Sequence, residues 1–358
     1  MTLANRRLAT LAVFAGALAY FLLFRRYGFQ IEDEGTLLFQ LDRAARGELP
    51  YTDFHTGYTP GFFAAGAALL RLAHWDVASL RTVLAVLQAG VAASLYALAA
   101  PLTGAALAVV APLAFVAFLP VWPGDFASFN VPYPAWFANV AWMATALAMT
   151  SFARRGRLAP LFVAGLAAGA AFAIKPNAGA FALAAASWTV AMTATSRTAL
   201  DRAAAIGSCA VMLAGVWFAF GLTVRSIDAA VHLPPCIAIA VLAAWRARGA
   251  LASPSHPGAA AACAALVAGF ALPTIAWALP TLARLGTDGF LREVLLIGSN
   301  AAGIYWLAHP APQLWAAVSI GGALAVAGAG HLVARGRVRP APLLAAASLA
   351  VVAALLFL

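Results

Sequence analysis

The chain has 358 residues, 64% of them hydrophobic and only 9% charged, with a mean hydropathy of +0.90 and a net charge of +10. Soluble domains of this size are about half apolar and about a quarter charged, so the composition points to an integral membrane protein. Apolar runs of roughly 17–22 residues, without strand-like alternation, argue against a barrel and for helices crossing a ~30 Å hydrocarbon layer.

The first run, "LATLAVFAGALAYFLLF", is followed by Arg25 and Arg26 and lacks a small-residue cleavage pattern. It reads as a retained helix rather than a cleaved signal peptide. A few residues on, "FQIEDEGTLLFQ" sets Glu32, Asp33 and Glu34 side by side in a chain otherwise poor in charge. Two readings are open for this trio: a solvated patch balancing Arg25 and Arg26, or a site where carboxylates do chemistry.

Helical spacing then puts Leu37, Leu38, Leu41 and Ala45 on one side and Asp42, Arg43 and Arg46 on or near the other. This predicts a short amphipathic helix lying on the bilayer surface and ending at Gly47. The segment "ELPYTDFHTGYTPG" is a polar, turn-rich loop. Thr59 and Pro60 form an N-cap and first-turn pair for a second short helix, Gly61–Ala73.

Counting onward gives about eleven spans, near 8–24, 82–100, 105–121, 135–152, 158–174, 178–195, 204–224, 229–245, 259–280, 314–334 and 341–358. The expected fold is all-α, a single polytopic membrane domain over 1–358 with two juxtamembrane helices in its first outer loop. With a cytoplasmic N-terminus, 12 of the 22 basic residues gather in the inner loops, at Arg6, Arg7, Arg154, Arg155, Arg157, Arg197, Arg202, Arg246, Arg248, Arg335, Arg337 and Arg339. Asp201 is the only one of the 12 acidic residues on that side. The outer face then carries loops 25–81 and 281–313, the segment "WPGDFASFNVPYP" and the turn "KPNAG". Chemistry is expected there, on the outer side of a cell membrane.

Cys209, Cys236 and Cys263 form no CxxC or CxxxC pair, and His232, His256, His309 and His331 lack metal spacing. No metal or other cofactor is indicated, although a divalent cation on Asp33–Glu34 with His55 is chemically possible. Neither GKS/T nor GxGxxG occurs, and no basic tail suggests nucleic acid.

The stretch "DEGTLLFQLDRAARGELPYTDFHTGYTPGFF" resembles the first outer loop of polytopic glycosyltransferases of the C-type fold, nearest to the protein O-mannosyltransferase and aminoarabinose-transferase-like group. The matching positions are Asp33–Glu34 and "GYTPG", with weaker echoes in "NVPYPAWFA" and "AIKPNAGAF". About 40 residues carry the specific match. Where some relatives have a Lys before paired prolines, this chain has Thr59. The resemblance implies transfer of a sugar from a polyprenyl-phosphate carrier to a hydroxyl on a glycan, lipid or protein.

Such a reaction needs a base for the acceptor proton and a donor or cation for the departing phosphate. The resemblance gives Asp33 the role of base, with Glu34 orienting Asp33 or the acceptor. Lys175, the only lysine, is the first phosphate candidate, against simple snorkelling at a helix end. His55, Tyr58 and Arg292 are further substrate-binding candidates. Asn130 and Tyr133 could shape a sugar pocket, though aromatic residues are expected at an interface anyway. The alternatives in other classes are a transporter or flippase for a lipid-linked substrate and a catalytically silent membrane scaffold.

Overall fold

The computed structural model describes residues 3–118, 127–221 and 256–295. Within them the chain is helical and forms no strand. The expected spans at 229–245, 314–334 and 341–358, together with His232, Cys236, His309, His331 and most of the 281–313 loop, lie outside the described residues.

Helix α1 (Leu3–Leu23) leads into a π-helical turn (Ile31–Gly35), α2 (Thr36–Ala45), α3 (Pro60–Leu72) and α4 (Val77–Thr103). After α5 (Val110–Phe118) come α6 (Pro134–Arg155), α7 (Leu158–Ile174), α8 (Pro176–Thr193), α9 (Ala199–Gly221) and α10 (Ala259–Gly289), with a second π turn over Phe290–Leu295. Among the described residues three segments are long and apolar enough to cross a membrane: Ala4–Leu23, Val77–Pro101 and Ala259–Leu295. The protein therefore has the make-up of an all-α membrane protein.

Local sequence explains the helix ends. Pro60, Pro134 and Pro176 each open a helix, where the missing N–H costs nothing. Asp76 caps α4 by accepting from the Ser79 N–H at 2.7 Å. Gly156 takes the left-handed conformation (φ 63°) that closes α6. Thr59 has the extended backbone of an N-cap, but its side chain makes no capping bond and its buried Oγ1 has no partner among the described residues.

α10 runs past the expected end at residue 280 to Gly289, with a kink at Gly286. Trp277, Phe290 and Val294 pack with Ala173, Phe172 and Tyr51, so this segment has apolar surface to bury rather than a loop to form. Helices α7 and α10 come together through Gly165, Gly169 and Gly269, where any Cβ would collide with the facing backbone. Small residues permit this close approach in membrane bundles.

Contacts between helix ends define two poles. At one, His256 Nε2 lies 3.2 Å from the Ala153 carbonyl oxygen, near Arg154, Arg155 and Arg157. There Asp201 accepts from the Ala260 N–H at 3.1 Å, supplying to α10 the cap that Gly258 lacks. At the other pole lie the end of α1, the acidic turn, α2, α3 and the α7–α8 turn.

Candidate functional site

The acidic turn is built on a shortage of backbone partners. The end of α1 leaves carbonyls without intrahelical donors. Asn130 donates its amide to two carbonyls of the turn that follows α1, Phe24 O (2.9 Å) and Tyr27 O (3.2 Å). Arg81, from α4, donates to two more, Arg25 O (3.1 Å) and Gly28 O (2.9 Å). The same guanidinium makes a bidentate pair with Glu34, Nε to Oε1 at 2.8 Å and Nη2 to Oε2 at 2.7 Å. Glu34 is 1% exposed and Arg81 6%, so the pair is withdrawn from solvent. One cation thus answers both a buried carboxylate and two backbone carbonyls of the segment after α1.

With Glu34 turned inward, the π turn projects its neighbour the other way. Asp33 is exposed, its N–H donates to Gln30 Oε1, and its Oδ2 accepts the Tyr133 hydroxyl. The two adjacent acids therefore have separate surroundings: Glu34 fixes the turn, and Asp33 is presented on it. Glu32 is exposed and, among the described residues, meets the amide of Gln30 alone, at 3.2 Å.

Tyr133 stands at the start of α6, with its ring 6.1 Å from that of Trp136. Partial burial, then its bond to Asp33 and the nearby charge of Asp33, Tyr58 and Glu34, push its phenol well above the ordinary value. Its hydrogen bond therefore contributes fully below about pH 10, the ordinary tyrosine value, and is lost as pH rises through the raised one. Subtracting the tyrosinate titration of Tyr133→Phe from that of the wild type isolates this group. A component titrating above about pH 10 is expected, and one at or below it would contradict the pairing.

The loop between α2 and α3 is braced internally. Arg43 donates to Glu48 and to the Asp53 carbonyl (2.7 Å) and covers the Phe54 ring at 5.0 Å. Thr56 donates to Gln40 at 3.2 Å, and Tyr51 donates to the Tyr58 carbonyl at 2.7 Å. Tyr58 is exposed, with its ring 5.5 Å from Phe62. His55 is exposed on the same loop.

At the head of α3, Gly61 lies so close to the Ala173 backbone that a Cβ there would overlap it. This contact joins "GYTPG" to "AIKPNAGAF", while the Phe62–Phe137 ring contact at 5.8 Å joins both to "NVPYPAWFA". The sequence motifs thus meet at one pole.

Lys175 separates α7 from α8 and lines an open cleft of about 330 Å³ with Asn139, Trp142, Asn177 and Phe181. Asp33 and Tyr133 meet one side of the start of α6, and the cleft follows Ala135, Ala138 and Asn139 on another. Arg292 is 72% exposed in its side chain and pairs loosely with Glu293 at 3.4 Å.

The site therefore joins Asp33 to Tyr133, with Tyr58 on the neighbouring loop, and sets Lys175 around α6 from them. Asn130 is 1% exposed with both amide hydrogens engaged on the α1 end, so it holds the site from beneath. Arg81 and Gln30 are the supporting residues that motif reading missed. Among the described residues no cluster of three His, Cys, Asp or Glu side chains could hold a metal. Comparison with protein-family models, curated proteins and solved structures gives no match.

Proposed function

We propose that the chain is a membrane glycosyltransferase that moves a sugar from a polyprenyl-phosphate carrier to an acceptor hydroxyl, with Asp33 as general base. The observation that carries this reading is the treatment of two adjacent carboxylates. Glu34 is spent on Arg81, whereas Asp33 is held by Gln30 and Tyr133 with its side chain open to solvent. A structural acid has no need of such presentation, and a base that must meet an acceptor does.

In this reading the acceptor hydroxyl approaches Asp33 and gives up its proton as its oxygen bonds to the sugar's anomeric carbon. The carbon–oxygen bond to the carrier phosphate breaks, and the phosphate keeps the electron pair. Lys175 offsets that charge, and Tyr58 and His55 contact the acceptor or sugar. The protein has about eleven spans in a C-type glycosyltransferase arrangement, with its N-terminus in the cytoplasm and the Asp33 pole outward. No cofactor is required.

Orientation is tested by single cysteines at Glu32, Arg155 or Arg292, after the three native cysteines are replaced by alanine. An impermeant thiol reagent applied to intact cells should label the first and third and spare the second. Labelling at position 155 would invert the topology and put Asp33 on the wrong side. Function is tested in a deletion strain, which should accumulate a lipid-linked sugar and lose a surface-glycan modification. Unchanged lipid-linked sugars and glycans would refute the proposal.

A further inference from the structure

At the pole opposite Asp33, the α6–α7 turn reads "RRGR". Arg154 and Arg155 end α6, and Arg157 precedes α7. Gly156, in its left-handed conformation, keeps the turn tight, so three guanidinium groups leave one short stretch of backbone. All three are exposed and form no ion pair among the described residues. α7 opens here without a side-chain cap, and the first N–H groups of the helix add to the positive field.

The acid of this pole does not offset that charge. Asp201 is buried, and its carboxylate is taken up by the Thr198 N–H (3.1 Å), the Thr198 hydroxyl (2.9 Å) and the Ala260 N–H (3.1 Å). Like charges crowded in this way repel one another, and an anion between them relieves the repulsion.

A second basic turn is stitched to the first. His256 sets Nε2 3.2 Å from the Ala153 carbonyl oxygen, and its own carbonyl accepts from Thr195 Oγ1 at 3.4 Å. The Thr195 N–H donates to Pro257 O at 3.0 Å. Arg154 follows Ala153 directly, and Arg197 lies just beyond Thr195, with Arg202 exposed in the first turn of α9. The His256 ring is buried edge-on to Phe152 at 5.7 Å, so the clip belongs to the packed interior and fixes how the two turns sit together.

Apolar surface begins directly beneath these cations. Leu158, Leu200 and Ile206 are 40%, 69% and 70% exposed, and Ile206 stands one turn below Arg202 on the same side of α9. Cations at the rim with bare apolar helix below match a phosphate headgroup and its acyl chains better than a soluble anion or an acidic protein. Each turn suits one phosphate, and a headgroup carrying two engages both, the second contact being intramolecular once the first is made. We propose that the Arg154–Arg157 turn and the Arg197–Arg202 turn, joined through His256, form a binding site for a lipid headgroup bearing two phosphates. The site does not depend on the transfer chemistry assigned to Asp33.

The test is native mass spectrometry of the full-length protein in detergent. The probes are cardiolipin, phosphatidylglycerol with the same acyl chains, inorganic pyrophosphate and polyglutamate. Cardiolipin should bind at least about tenfold more tightly than phosphatidylglycerol, a modest share of the ~10²–10⁴-fold that tethering can supply. Replacing Arg154, Arg155 and Arg157 together by Gln should bring cardiolipin down to the phosphatidylglycerol level. Arg202→Gln should weaken cardiolipin more than phosphatidylglycerol, and it decides the matter alone if the triple variant fails to fold. Arg46→Gln, at the opposite pole, should change neither.

Equal affinity for cardiolipin and phosphatidylglycerol would overturn the two-phosphate site. Undiminished cardiolipin binding in a folded triple variant, or in Arg202→Gln, would place the lipid elsewhere and overturn it too. Displacement of cardiolipin by an equal concentration of pyrophosphate would make a free anion the ligand, and capture of polyglutamate in preference to either lipid would make it an acidic protein. Both results would refute the lipid assignment.

Discussion

Asp33→Asn is expected to slow sugar transfer by ~10²–10⁴-fold while leaving donor binding and folding intact. The amide keeps the size of the carboxylate and can still accept the Tyr133 hydroxyl, but it has no basic oxygen for an acceptor proton. Asp33 is exposed, so the substitution does not strand a buried group. Turnover should therefore fall without a corresponding change in donor affinity, and the unfolding temperature should match the wild type. Glu32→Gln, altering a neighbour with only a Gln30 contact, serves as the charge-matched control and should be nearly silent. A purified Asp33→Asn variant with wild-type transfer would remove general-base chemistry from this site.

The largest effect on stability is expected at Arg81. Arg81→Met leaves Glu34 buried without its partner and withdraws two donors from the carbonyls after α1. Breaking a buried pair from one side typically costs about 3–5 kcal/mol, and a large downward shift in unfolding midpoint in detergent should report it. Adding Glu34→Leu removes the stranded charge and should restore part of that loss. Recovery should be incomplete, because Arg25 O and Gly28 O still lack the guanidinium. Equal stability of wild type and Arg81→Met would show that the pair has little part in holding the turn.

These two variants separate what was visible in the sequence from what was not. The apolar spacing of Leu37, Leu41 and Ala45 predicted the buried side of α2, and all three are buried there. Thr59–Pro60 likewise anticipated the start of α3, because proline's local geometry is independent of distant partners. The closeness of Asp33 to Tyr133 was only implicit: both were candidates, but 100 residues separate them. The Glu34–Arg81 pair left no local signal, since its members are 47 residues apart and Arg81 looks like any charge near a helix start. Asn130 was a candidate for shaping a sugar pocket. Its engagement with Phe24 and Tyr27 follows only once the end of α1 lies beneath it. The extension of α10 to Gly289 was hidden by Pro280 and by polar residues that mimic a loop; packing against Ala173 and Tyr51 was outside any local window.

The Arg81 linkage also bears on how the chain is made. α1 leaves the insertion machinery before α4, carrying exposed carbonyls and a carboxylate destined for burial. Its closing partner arrives only after the α2–α3 segment has been synthesised. The apolar contact of Phe21 with Ala85 and Ala89 can form at that same stage, bringing the guanidinium into place. The segment after the first helix thus gains its Arg81 partner only once α4 is made and its Asn130 partner later still, so α1 by itself cannot close this turn.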